Sequence, residues 1–300
     1  MNNHNSRRKF MTSLGLSGLA AGAMSGNKAH ALKDVSGMGG AGKDYINSRR
    51  VLLYECTRKE IRERIASGKL KAAIIPTGST EQHNEHLALA MDTSAALVIS
   101  QLTAMELYPK VIVTTPVPFG ICPYWMNRQG TLSVREETFT GLVYDICCSM
   151  KTHGIEAILV VNGHGGNIRT LNNIIPGFST ELGIPIETCS YWDSVSRDQR
   201  KEFTESGVVP GHADEFETSF ALAAFPERVR RTTYEGMEPY KWDVKKEDLD
   251  RIGFYTPGWD NLEWDKKSFE LSKLATPEKG EKFIAHAVGW VADKVSGMIK

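Results

Sequence analysis

The sequence predicts an α/β fold, a single-domain three-layer sandwich with a largely parallel central sheet. Three observations lead there. From Leu52 onward, short β-branched apolar runs alternate with longer helical runs, the order that builds parallel sheets. Two of the His-bearing polar stretches follow directly on apolar strands, where open α/β sheets gather their ligands. Apolar residues make up 41% of the 300 and charged residues 24%, enough to build a sizeable core.

The N-terminus is set apart from that pattern. Asn5-Ser6-Arg7-Arg8-Lys9-Phe10-Met11 is a twin-arginine pattern, followed by a weakly apolar run from Phe10 to Met24 and by Ala29-His30-Ala31. Small residues flanking one position are what signal peptidase accepts, so residues 1–31 are expected to be a Tat-type signal peptide. The run is too short and glycine-rich for a stable span, and no Cys follows closely, so no membrane anchor is expected. The mature protein is expected in the periplasm or secreted. Removing the signal leaves 32 basic against 36 acidic residues, a net charge of −4. That balance points to no nucleic acid and no anionic membrane surface.

Residues 32–50 read as a linker. Within it, Gly37-Met38-Gly39-Gly40-Ala41-Gly42-Lys43 imitates a phosphate-binding loop, but Asp44 stands where Ser or Thr would hold Mg and no strand precedes it. The domain proper spans 51–300. Thr57 is placed to cap a helix through about Ser67, and a buried strand over 71–75 is stopped by Pro76 and Gly78. A helix follows from Asp92 to about Leu107, then the strand Val111 to Thr115. A Pro- and Gly-rich loop covers 116–132. Ser133 with Glu136 predicts a capping box for a helix to about His153. Ile155 to Val161 is the most apolar strand, followed by a helix from Asn167 to Leu182 and a strand over 184–190. Ala213 to Ala224 is helical and ended by Pro226. Residues 230–275, with Trp242, Trp259 and Trp264, lack clear periodicity and are expected to pack over the site or a subunit neighbour. Thr276-Pro277 starts the last helix, with Pro at its first position. Five Cys at irregular spacing form no CxxC frame, and most are expected to be buried as small hydrophobes.

Three clusters carry chemistry. The loop after strand 71–75 holds Glu81, His83 and His86 and leads to Asp92, a mixture of oxygen and nitrogen donors that suits Zn, Mn or Fe better than Ca or Mg. The same stretch is also compatible with a polar loop whose Asp caps a helix. Asn162-Gly163-His164-Gly165-Gly166-Asn167 follows the strand ending at Val161, and its glycines allow close backbone approach around one His; a glycine-rich helix cap would look alike. In Gly211-His212-Ala213-Asp214-Glu215-Phe216-Glu217, His212 and Glu215 are spaced for one helix face while Glu217 points elsewhere. An ordinary acidic helix N-terminus is the alternative there.

Together these residues resemble the creatininase family of metal-dependent amidohydrolases. The family pattern Glu-Gln-His-Gly-x-His-Leu-Pro followed by Asp is similar to Glu81 through Asp92. Its Asn-Gly-His-Gly-Gly-Asn loop stands at Asn162 to Asn167, and its His-Ala-Gly-Glu-x-Glu-Thr-Ser segment at His212 to Ser219. Asn84, Ala88, Gln129 and Asp214 depart from the usual Gly, Pro, Pro and Gly. The resemblance implies two divalent metal ions, zinc first with manganese or iron as alternatives, held by Glu81, His83, Asp92, His164 and Glu217, with Asp92 bridging. It implies His212 as the catalytic imidazole, with Glu215 as a second proton carrier. True creatininases carry a ligand Glu two residues after the second-motif His; Gly166 stands there, so Glu217 is expected to supply the ligand. The implied reaction is hydrolysis of an amide-type C–N bond, in a cyclic amide or formamide, by metal-bound hydroxide. A hydrolase of an oxidised cyclitol or sugar-derived ketone is the first alternative, and a non-catalytic metal-dependent binding protein the second. The partner is a small molecule, and the resemblance implies a homo-oligomer, commonly a hexamer.

Overall fold

The computed structural model describes residues 50–230, 244–254 and 262–299. The expected signal peptide, nearly all of the linker, and Trp242 and Trp259 lie outside the described residues. Four strands, β1 (Ala72–Thr77), β2 (Val111–Val113), β3 (Ala157–Asn162) and β4 (Ile186–Ser190), form one parallel sheet in the order β2-β1-β3-β4. Every residue of β1, β2 and β3 is buried, which is why they read as unbroken apolar runs.

The strands send alternate residues to two cores. Ala72, Ile74, Leu159 and Val161 face one side, where α2 (Met91–Glu106), α5 (Glu215–Ala224) and α8 (Pro277–Met298) pack. Ala73, Ile75, Ile158 and Val160 face the other, against α3 (Glu136–Thr152) and α4 (Ile168–Leu182). Helices therefore cover both faces, and the chain is the expected three-layer sandwich. The helix before β1, α1 (Arg58–Ala66), opens on the expected Thr57 cap, which Glu60 completes as a capping box. Thr57 Oγ1 accepts from the Glu60 N–H at 3.3 Å, and the Thr57 N–H donates to the Glu60 carboxylate at 2.7 Å. No helix of the described residues is long and apolar enough to cross a membrane.

Three local expectations are corrected. Pro76 does not end β1: it pairs with Val161, and its carbonyl accepts from the Val117 N–H at 2.9 Å. β2 has already ended at Val113, so the donor that proline lacks would have faced a place with no paired strand. Ser133 does not cap α3, which starts after Arg135. Its hydroxyl accepts the Cys122 N–H at 3.1 Å and so braces the preceding loop instead. Part of the aperiodic aromatic stretch is helical, as α6 (Lys246–Ile252) and α7 (Leu262–Ser272). Among the described side chains of α7, Asp265, Ser268 and Phe269 are buried, a helical spacing carried largely by polar residues, to which hydropathy is blind.

Candidate metal centre

The carboxyl ends of β1 and β3 deliver the first two clusters to the N-terminus of α2. Past β1, the Glu81 N–H donates to the Leu89 carbonyl at 3.0 Å and the Gln82 N–H to Thr131 Oγ1 at 3.2 Å, which pins the loop between its own return and the Gly130-Thr131 turn. Asn84 takes φ 53°, left-handed backbone that Asn tolerates, so the departure from the usual Gly costs the loop little of its shape. Past β3, a Cβ on Gly163 would stand 2.2 Å from the Asp92 carbonyl oxygen. Only glycine lets the second loop approach α2 closely enough for His164 to meet Asp92.

The five expected ligands converge. His83 Nε2 lies 3.0 Å from Asp92 Oδ1 and 3.5 Å from Glu217 Oε2. His164 Nδ1 lies 2.9 Å from Asp92 Oδ2 and 3.4 Å from Glu81 Oε2. All five residues are buried. Asp92 thus turns one oxygen to each histidine, and its carboxylate separates a His83–Glu217 group from a His164–Glu81 group.

Both rings are oriented from behind. His83 Nδ1 sits 3.1 Å from the Glu81 carbonyl oxygen, an acceptor, which puts the proton on Nδ1 and turns Nε2 to the cluster. His164 Nε2 sits 3.2 Å from the Ile121 carbonyl, with Tyr124 Oη at 3.3 Å, leaving Nδ1 for the cluster. Backing of this kind fixes the tautomer of metal-binding histidines.

Electrostatics tell the same story. Burial opposes a charge on His83, but the carboxylates of Asp92 and Glu217 outweigh it and hold the ring well above its ordinary pKa. His164 is likewise pushed up to about 10, burial being overcome by Glu81 and Asp92. Burial raises Glu81, whereas Asp92, also buried, is pulled below the usual carboxylate range by the two histidines. In the metal-free chain, protons supply the positive charge that these acids demand. Yet Glu81 Oε2, His83 Nε2 and Asp92 Oδ2 are buried with no hydrogen-bond partner, although their neighbours stand within ion-pair distance. The donors face common points rather than one another. An orphaned buried polar atom costs about 1–3 kcal/mol, and divalent cations at those points satisfy all three, so the residues fit a metal.

The third cluster divides. Glu217 is the third residue of α5, and its carboxylate also accepts the Ala213 N–H at 2.6 Å. Asp214 caps α5, accepting from the Phe216 N–H at 2.9 Å. His212 lies before the helix, so it does not share a helix face with Glu215. Ala213, at φ 49°, is a left-handed non-glycine residue that turns His212 inward. His212 Nδ1 reaches 3.5 Å from Glu81 Oε1, and its ring stacks on Trp125 and Trp264 at 4.8 and 5.5 Å between centroids. Burial and the nearby His83 charge hold His212 well below the ordinary histidine pKa, so it is neutral.

Glu215 is not brought to the site. It is fully buried, but its carboxylate accepts the Glu205 and Ser206 N–H groups, each at 2.8 Å, and pairs with Lys279 at 2.8 Å. Its place in α5, one residue after the cap, turns it to α8 and away from Glu81. His86 also points elsewhere: Nε2 lies 2.9 Å from Thr218 Oγ1, and burial lowers its pKa to about 4. Gln82, Tyr124 and Trp125 join the site without having been singled out. Only Gln82 had a signal, its place between Glu81 and His83.

A family model described as creatinine amidohydrolase matches residues 54–295. The chain belongs to the creatininase family. It is 26% identical over 277 residues to the creatinine amidohydrolase of Pseudomonas putida, covering 83% of this chain and 97% of that one. It is 30% identical over 208 residues to the 3-dehydro-scyllo-inosose hydrolase of Thermotoga maritima, covering 68% of this chain and 65% of that enzyme, just under two thirds of its length. A solved creatininase superposes with TM-score 0.65 at 27% identity, covering 83% of this chain and 98% of that chain. Solved creatininases at similar likeness are described as of Zn-Zn type and as a manganese form. This chain is therefore an enzyme, a metal-dependent hydrolase of that family. At Gly166 a Cβ would stand 2.1 Å from the Ile121 carbonyl and 2.5 Å from His164 Nε2, so this chain has no room for a side chain at that position.

Proposed function

We propose that this hydrolase uses two divalent ions, zinc first, with manganese or iron as alternatives. Glu81, His164 and Asp92 would hold one, and His83, Glu217 and Asp92 the other. The substrate is a small polar molecule with an amide-type C–N bond, a cyclic amide or a formamide. The observation that carries this reading is the division of Asp92 between two histidines, each already oriented from behind. When bound, such a pair of ions polarises a carbonyl and activates water.

The chain's own residues do the rest. His212, neutral and carrying its proton on Nδ1 beside Glu81, presents a donor to charge developing on the substrate oxygen. Trp125 and Trp264 keep water from the far side of that ring and hold its plane. Glu215 has no part in the proton transfer.

A second reading, hydrolysis of an oxidised cyclitol, is favoured by the likeness to the Thermotoga inosose hydrolase. Metal analysis of the purified mature protein, followed by a panel of lactams, formamides and keto-cyclitols, tests both. Fewer than two ions per chain overturns the two-ion reading, and turnover of keto-cyclitols alone selects the second. Export by the Tat route and assembly into a homo-oligomer belong to the same proposal. Arg7→Lys with Arg8→Lys should retain the folded protein in the cytoplasm, and undiminished periplasmic protein would refute the export reading. Light scattering should show a multimer; Phe119, Leu132 and Trp264 each leave a large apolar side chain exposed on loops and helices near the site.

A further inference from the structure

Cys122, in the loop after β2, is fully buried and plays no part in the reading above. Its sulfur, a carboxylate oxygen of Glu81 and a ring nitrogen of His164 all lie within 4.8 Å of one another. Donors that share one zinc ion, with sulfur at about 2.3 Å and nitrogen or oxygen at about 2.0–2.2 Å, stand no more than about 4.5 Å apart. Small side-chain rotations therefore bring all three onto one ion. A second observation points the same way: Glu81 Oε2 is buried, at 2% exposure for the residue, and has no hydrogen-bond partner. The thiol lies 3.2 Å from the Ser79 hydroxyl, has the Ser133 hydroxyl beside it, and makes long contacts to the Leu132 and Gly120 carbonyls, at 3.7 and 4.0 Å. Sulfur is a weak hydrogen-bonding group, so little holds it back from a cation.

We propose that Cys122 supplies a sulfur donor to the metal position built on Glu81 and His164, and that this donor makes the position prefer zinc over manganese. The inference rests on the metal reading above. A soft donor beside hard ones favours zinc, cobalt or iron, whereas an all-oxygen-and-nitrogen set accepts manganese as well. Bond formation is balanced without an oxidant: the S–H proton leaves to solvent as the metal–sulfur bond forms.

Cobalt(II) is the probe, loaded into the full mature chain. Visible ligand-field bands report that cobalt is bound at all, and a near-ultraviolet thiolate-to-cobalt charge-transfer band reports sulfur. The wild type should show both. Cys122→Ser and Cys122→Ala should keep the visible bands, lose the near-ultraviolet band, and lose zinc preference over manganese by roughly tenfold or more, the range that even outer-shell partners command. X-ray absorption of the zinc-loaded wild type needs no variant and should show a sulfur scatterer at about 2.3 Å. Visible bands with neither charge-transfer band nor sulfur scatterer overturn the assignment of Cys122 and leave the two-ion reading standing. A charge-transfer band that survives in Cys122→Ser also overturns it. Absence of the visible bands overturns the metal reading and this inference with it.

Discussion

The side-chain amide of Gln82 lies 2.9 Å from Nε2 of His212, across 130 residues of sequence. The Gln82 amide oxygen accepts the Asn84 N–H at 3.0 Å, so its NH2 group must be the side that faces the ring. His212 Nε2 is therefore an acceptor, and the proton of the neutral ring sits on Nδ1, toward Glu81. The network, rather than the ring alone, decides the tautomer.

That pairing makes a pH prediction. His212 is held well below its ordinary pKa, so kcat/KM at saturating metal should show no step from it near the usual histidine value of about 6.5. Gln82→Glu places a carboxylate against Nε2, stabilises the imidazolium and raises the pKa. Activity should then fall as pH drops below the raised value. Gln82→Ala should add no such acidic limb. His212→Ala should lose about 10²–10⁴-fold in kcat with metal content unchanged; loss of metal as well would make His212 a ligand.

Asp92→Ala should lose both ions, because its two oxygens serve two different groups. His83→Ala and His164→Ala should each weaken one ion first. Metal content per chain after dialysis is the measurement, and an Asp92→Ala protein with the wild-type content would remove the bridging role.

Metal uptake should expel protons. In the metal-free chain His164 titrates near 10 and His83 well above its ordinary value, so near neutral pH both rings hold protons that a cation must displace. Apparent affinity should rise with pH by about tenfold per unit for each proton displaced. Calorimetry in two buffers of different ionisation enthalpy counts those protons, and zero release would contradict the assignment. The sign for folding is opposite. A raised imidazole pKa stabilises the metal-free fold fully below about pH 6.5, and that contribution fades as pH climbs through about 10.

Arg128 and Asp265 form a buried ion pair at 2.9 Å that fastens α7 to the 116–132 loop, and so holds Trp264 against His212. Asp265→Ala leaves a buried guanidinium without that partner and should cost about 3–5 kcal/mol. Replacing the pair together, Arg128→Met with Asp265→Leu, should come closer to neutral, because it removes both desolvated charges. Urea midpoints at unchanged slope decide it; equal loss in the single and double variants would show that packing, not charge, is what the pair supplies.

Much of this protein was legible in its residues taken in order. The alternation of apolar strands and helices determined the layered parallel fold, Thr57 announced a cap, and the donors at Glu81, His83, Asp92, His164 and Glu217 stood at element ends where chemistry collects. These are local properties, periodicity and side-chain type, which neighbouring residues suffice to encode. Tertiary structure decided the rest. Pro76 stays in β1 because β2 stops short, Ser133 braces Cys122 rather than its own helix, and α7 hides its period in Asp265 and Ser268. Glu215, which looked like a neighbour of His212, belongs to Lys279, while Trp125 and Cys122 reach the site unannounced. Each of these depends on how loops from β1, β2 and β3 meet α2 and α5 in space. The contacts join residues 11 to more than a hundred positions apart, and no local pattern specifies which side chains will share one point.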